Sequence, residues 1–401
     1  MSFSSDRFWA LENQVCHYAW GARGDAAQPP YIAALLSQPP GALPWAELWL
    51  GAHAKLPSIL QLNAEKIPLH KLIEEFPEQL LGRHCLQAGF RELPFLLKIL
   101  SCDSALSIQC HPDAANARRL HAEKPELYPD DKHKPEILLA LTEFEALAGF
   151  REYRQVKQQL RQSRLFDNWL GFQLEKDFSD DMPGLCHALF ALPESDCLHM
   201  LQNASQELNR RQALSDEEKL FLRLLEAYPD DKGSCFAFLL QHHSLNPGQA
   251  LYLPPGMVHA YLQGSGIECM AASDNVIRAG LTQKYVAAEE MRKNADFSSR
   301  SPTLLSGNES SKGRRCYACP AREFRLLDLQ GQNLRLDELA ELPGLLLLLE
   351  GEGELINPDG SRLAASKGSA WLRPAKLRQG EFRALADNTR AVYCEGIVRH
   401  P

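Results

Sequence analysis

The stretch "LPFLLKIL", residues 93–100, is apolar on both faces of any strand it could form, with Lys98 the one charged interruption. "AELWLGAH", "EILLALTEFEALAGF" and, near the C-terminus, "LLLLLEGEGELINPDGSRL" are runs of the same kind, split or closed by Gly, Pro or Asp. Apolar runs of about 4–8 residues bounded by turn residues fill buried strands, whereas helices need ~10 or more residues with apolar positions three and four apart. A chain punctuated this often reads as β-structure with a few helices over its first 150 and last hundred residues. At 401 residues it also exceeds what one hydrophobic core usually holds, so two or three domains are expected.

From Arg151 to about Lys232 the texture changes to longer, charged, Leu- and Gln-rich stretches. In "LSDEEKLFLRLLEAYPDD", Ser215 with Glu218 makes a capping box, apolar residues recur at Leu220, Phe221, Leu224, Leu225 and Tyr228, and Pro229 ends the run. Beyond it, "FAFLLQHHSLNPGQALYLPPGMVHAYLQG" returns to strand and turn chemistry, with "NPGQ" and "PPG" as two tight turns. The expected organisation is a β domain of residues 1–150 plus 233–300, interrupted by a helical domain, 151–232, and followed by a second β domain, 301–401, of jelly-roll type. One short helix is expected in the first domain, between Asp113 and Pro125 of "HPDAANARRLHAEKPEL". "RSPTLLSGNESSKGRR" reads as a surface linker into the last domain.

The net charge of -8 argues against a general nucleic-acid or membrane-surface binder. With no apolar run of about 18 residues and no basic-then-apolar leader in "MSFSSDRFWALEN", the expectation is a soluble, cytoplasmic, monomeric protein. Eleven scattered cysteines fit reduced thiols better than a disulfide framework, and "CYAC" at Cys316–Cys319, without a second pair, reads as structural.

Chemistry concentrates in a few places. In "SIQCHPD", Ser107, Gln109 and His111 would share one face of a strand while Cys110 turns away. In "KHKPEILLAL" the same alternation pairs Lys134 with Glu136 at the entry to an apolar strand, where a lone carboxylate is costly unless paired or metal-bound. The Pro-Gly turn of "YLPPGMVHAY" delivers His259 to the start of a strand, with Tyr261 on its face. Two imidazoles, a carboxylate and an amide oxygen would suit Zn²⁺ or another divalent transition metal better than Ca²⁺ or Mg²⁺. A single histidine near a strand end is more often a hydrogen-bonded core residue, so spacing alone leaves both readings open. "IECMAASDNVIRAGLTQK" adds Glu268, Asp274, Asn275, Arg278 and Lys284. An internal Arg–Asp ion pair would explain part of it, but several cations, Lys98 included, around one metal would point to an anionic, phosphate-bearing substrate.

"YPDDKHKPE", "SIQCHPD" and "HAYLQGSGIECMAASDNVIRAGLTQK", with "YAWG" and "AELWLGAHAKLPS" near the N-terminus, resemble the type I mannose-6-phosphate (phosphomannose) isomerases, zinc enzymes of the cupin superfamily. The resemblance spans nearly the whole chain. It departs at Lys132, where the family usually has Asn, and at Gln283, where it usually has Pro. It implies a mainly β fold with a helical insert: two cupin-like jelly-roll β-barrels plus an α-helical domain. It also implies one zinc per chain held by Gln109, His111, Glu136 and His259, a catalytic arginine at Arg278, and a sugar-phosphate pocket with Lys98, Ser107, Lys134, Glu268 and Lys284. Tyr261 joins the residues expected to contact substrate.

The implied reaction interconverts mannose 6-phosphate and fructose 6-phosphate by moving a proton between C1 and C2 through an enediol. Lys134, Asp274, Glu268, His133 and a zinc-bound water are the candidate proton carriers, with Lys134 and Asp274 placed beside Arg278 in the catalytic set. Two rivals remain: a cupin metal-dependent oxygenase, against which the Gln ligand and the cations count, and a non-catalytic sugar-phosphate-binding protein. The chain contains no Gly-rich nucleotidyltransferase loop.

Overall fold

The computed structural model describes residues 3–62, 64–311 and 313–396. Its largest sheet has eleven antiparallel strands. In chain order they are β1 (Gln14–Cys16), β2 (Glu47–Leu50), β3 (Phe95–Cys102), β4 (Ile108–Cys110), β5 (Glu136–Ala140), β6 (Phe144–Phe150), β7 (Leu240–Leu245), β8 (Ala250–Leu253), β9 (His259–Ala271), β10 (Ile277–Gly280) and β11 (Thr303–Leu305). The path β11-β8-β5-β9-β3-β2-β1 forms one part; β7, β6, β4 and β10 form the other, joined through β9.

Strand β9 belongs to both parts. Its residues 264–271 pair with β3 and 266–270 with β5, while 259–263 pair with β6 and His259 with Gln109 of β4. Between the halves Gly264 has φ +115, and a Cβ there would stand 2.4 Å from the Glu143 carbonyl oxygen. Only glycine fits this bend. Side chains from the two parts, among them Leu100, Leu138, Phe144, Leu251, Leu253, Met257 and Tyr261, meet in one buried cluster, so the two parts face each other as a sandwich.

The outer face of each part packs on something different. Ile108, Cys110, Val258, Ala260, Ile277 and Ala279 join a core with Trp169, Leu189 and Phe221 of the helices between Tyr153 and Ala227. The predicted capping box of Ser215 and Glu218 starts the last of these helices, Asp216–Ala227. On the opposite side Leu97, Ile99, Ile137 and Leu139 join Leu326, Leu345, Leu347 and Val392 of a seven-stranded sheet. That sheet closes a third core against a four-stranded one around Leu334, Leu355 and Phe382. The architecture is thus mainly β with a helical part, as the run lengths predict.

The helix expected after His111 spans Ala114–Glu123, capped by Asp113, whose carboxylate accepts from Asn116 N at 2.8 Å. The stretch read as a linker is not one. Thr303–Leu305 adds an edge strand beside β8, and Asn308–Ser311 pairs with Arg314–Tyr317. Gly307 and Gly313, both with positive φ, supply the turns, so the turn residues of this stretch separate short strands instead of marking an unstructured linker. The N-terminal segment also crosses over: Trp9–Leu11 pairs with Ala370–Arg373 of the seven-stranded sheet.

Candidate metal centre

Three buried side chains converge at one end of the sandwich. His111 follows β4, Glu136 opens β5 and His259 opens β9. His111 Nε2 lies 3.2 Å from Glu136 Oε1, and His259 Nε2 lies 3.3 Å from Glu136 Oε2. All three are at most 2% exposed.

The far side of each ring is fixed by backbone. His111 Nδ1 lies 2.8 Å from the Asn275 carbonyl and His259 Nδ1 2.9 Å from the Met257 carbonyl. A carbonyl can only accept, so each Nδ1 carries the proton, and in a neutral ring Nε2 is then a lone pair. Burial, opposed by the nearby Glu136, pushes His111 down to about 4, so its ring is neutral at pH 7. Glu136 stays ionised: burial works to raise it, but the Lys134 ammonium holds it well below the usual carboxylate range. Lone pairs therefore face a carboxylate, and both Nε2 atoms and Glu136 Oε2 have no hydrogen-bond donor. Acceptors crowded together in a buried place repel unless a cation lies between them. Two imidazoles and a carboxylate, with all ligand atoms within 4.8 Å of one another, fit a divalent transition metal.

Charged residues line the same interior. Lys134 Nζ is 3.0 Å from Glu136 Oε1. Register places Lys98 of β3 between Trp49 of β2 and Glu268 of β9, and its ammonium lies 3.2 Å from Glu268 and 4.6 Å from the centre of the Trp49 ring. Burial would lower the Lys98 pKa, but Glu47 and Glu268 outweigh it and hold it above the ordinary value. Burial raises the Glu268 carboxyl despite Lys98. It raises the Tyr261 hydroxyl as well, reinforced by Glu268 and Glu136.

Gln109 lies opposite His259 on one side and Arg278 of β10 on the other, so the three form a row facing the same interior. Ser107 precedes β4 on the face of Gln109 and is half-buried. Arg278 is half-buried, and among the described residues no carboxylate pairs with it; burial lowers its pKa. The exposed Lys284 likewise has no carboxylate partner among the described residues, and burial followed by the Arg278 charge lowers its pKa. Asp274 is placed differently. Its oxygens are taken by His53 Nε2 at 3.1 Å and Lys55 Nζ at 2.6 Å, which, against the effect of burial, hold it well below the carboxylate range.

Sequence reasoning missed Glu47 and Trp49, although the alternation that grouped Ser107, Gln109 and His111 applies equally to "ELW". It also missed Asp130 and the clasp from His53 and Lys55 to Asp274, which join distant loops and leave no spacing signal.

Residues 8–153 match the catalytic domain of phosphomannose isomerase type I. Mannose-6-phosphate isomerase 1 of Arabidopsis thaliana is 34% identical over 88% of this chain and 85% of its own, and mannose-6-phosphate isomerase of Saccharomyces cerevisiae is 32% identical over 91% and 93%. A zinc-bound crystal structure of mannose 6-phosphate isomerase superposes with a TM-score of 0.85 at 28% identity, covering 98% of this chain and 100% of that one. The Salmonella typhimurium enzyme bound to its substrate and a zinc atom superposes with a TM-score of 0.83 at 28% identity and the same coverage. Alike in sequence over nine-tenths of its length and in fold over almost all of it, this chain belongs to the type I mannose-6-phosphate isomerase family.

Proposed function

We propose that the protein interconverts mannose 6-phosphate and fructose 6-phosphate, with one zinc held by His111, Glu136, His259 and Gln109. The observation that carries this reading is the buried meeting of two lone-pair nitrogens and a carboxylate beside Arg278 and Lys284, two cations without a described carboxylate. Bound zinc would supply positive charge to polarise the sugar oxygens at C1 and C2.

The remaining chemistry falls to the chain. Lys98 and Lys134 are already engaged with carboxylates, which leaves Arg278 and Lys284 for anions. Arg278, in the row with Gln109 and His259, faces the reacting carbons and stabilises the enediolate; Lys284 and Ser107 grip the phosphate. Glu268 and Tyr261 shape the buried floor. Lys134 and Glu268, beside the ligand set, are better placed to carry the proton than Asp274, whose low pKa makes it a weak base. The latter holds the mouth of the site through His53 and Lys55.

The test is metal analysis joined to an isomerase assay. Purified protein should hold about one zinc per chain, and His259→Ala should lose metal and activity together. Full turnover after chelation, with metal shown absent, would sink the proposal.

A further inference from the structure

We propose that Asp130, which touches none of the three converging side chains, is a positioning residue for the metal centre, acting through Asn275 on His111. The proposal rests on the metal reading above.

Asp130 Oδ1 accepts from Ser273 Oγ at 2.8 Å, Lys132 N at 3.0 Å and Asn275 Nδ2 at 3.1 Å; Oδ2 accepts from Asp274 N at 2.8 Å. One carboxylate thus gathers donors from three consecutive residues, 273–275. Asn275 is fully buried, and its amide also donates to the carbonyls of Asp130 at 2.7 Å and Lys132 at 3.0 Å. The backbone oxygen of this clamped residue is the acceptor that fixes the His111 ring. At the other end of the clamp, the turn that starts at Asp130 runs straight into Lys134 and Glu136. Asp130 therefore ties the segment that supplies one ligand to the segment that orients another.

The consequence is chemical. With the Asn275 carbonyl held, His111 keeps its proton on Nδ1 and its lone pair on Nε2 toward the site. With the clamp released, the carbonyl can turn away and the ring can rotate or move its proton to Nε2, where it no longer ligates. Loss of such an outer partner typically weakens metal affinity about 10–100-fold.

The test compares wild type, Asp130→Asn and the milder Ser273→Ala. Three quantities are read: zinc affinity by chelator competition, His111 tautomer by nitrogen NMR of the zinc-free protein, and the Michaelis constant at saturating zinc. Asp130→Asn keeps the size of the side chain but replaces an acceptor by a donor facing donors. Zinc affinity should fall about tenfold or more and an Nε2–H form of His111 should appear, with the Michaelis constant nearly unchanged once zinc saturates. Ser273→Ala should shift both readouts the same way by less, and it decides the matter if Asp130→Asn does not fold. Wild-type affinity with a pure Nδ1–H ring in the folded variants overturns the proposal. A wild-type protein that binds no zinc would instead overturn the metal reading, and the tautomer comparison would still decide the role of Asp130.

Discussion

Arg278 sits where two roles can be told apart. If it meets the enediolate, Arg278→Lys keeps a charge but loses the planar fork, and turnover should fall about 100-fold while the Michaelis constant changes little. Lys284→Ala, at a residue assigned to phosphate, should show the reverse pattern. A raised Michaelis constant with turnover kept in Arg278→Lys would move that arginine to the phosphate. At this scale the chain was partly legible before folding. His111 was marked by its alternation with Ser107 and Gln109, because a short strand converts sequence spacing into a shared face, and Glu136 and His259 were marked by strand-start positions and turn chemistry. Asp130 was not, since its partners at 273–275 are distant in sequence and no local pattern connects them. Asp274 carried the right charge in the right segment, but the hold of His53 and Lys55 on it comes from a loop far upstream.

Strand β9 is the element on which both halves of the site depend. Its start carries His259 and its second half carries Glu268, and the bend at Gly264 lets one strand serve both faces. Gly264→Ala must relieve a Cβ contact at 2.4 Å against a backbone oxygen and hold alanine at positive φ. It should cost about 1–3 kcal/mol in chemical denaturation and weaken zinc binding as well, because the alanine would push β9 away from Glu143 and Phe144 at the start of β6, the strand that pairs with the His259 end of β9. Unchanged stability would mean that the bend tolerates a side chain. The apolar runs announced β3, β5 and β6 from sequence alone, since buried strands leave unbroken apolar stretches. The double membership of β9 was invisible, because pairing on two sides is decided by partners and not by the strand itself. The strands at 303–305 and 308–311 were hidden by their shortness and by the turn-forming residues around them, which they share with a loop.

Across the whole molecule, the cores alternate with the sheets: helices, one half of the sandwich, the interior with the metal centre, the other half, then the seven- and four-stranded sheets. Leu97 and Leu347 belong to the same core although they lie on different sheets. Leu97→Ala and Leu347→Ala should therefore each cost about 2–5 kcal/mol and lower the transition reported by the zinc site. A separate early transition in Leu347→Ala, leaving the zinc-site transition unmoved, would show that the two β parts unfold independently. The placement of β9 after the helical part has one more consequence, for the order of synthesis. A growing chain presents His111 and Glu136 early, but their partner His259 emerges only after every insert helix has been made. Until that strand slots between β3 and β5, a captured ion can have only part of its ligand set. Secure metal loading is thus a late event of biogenesis, set by translation order as much as by affinity.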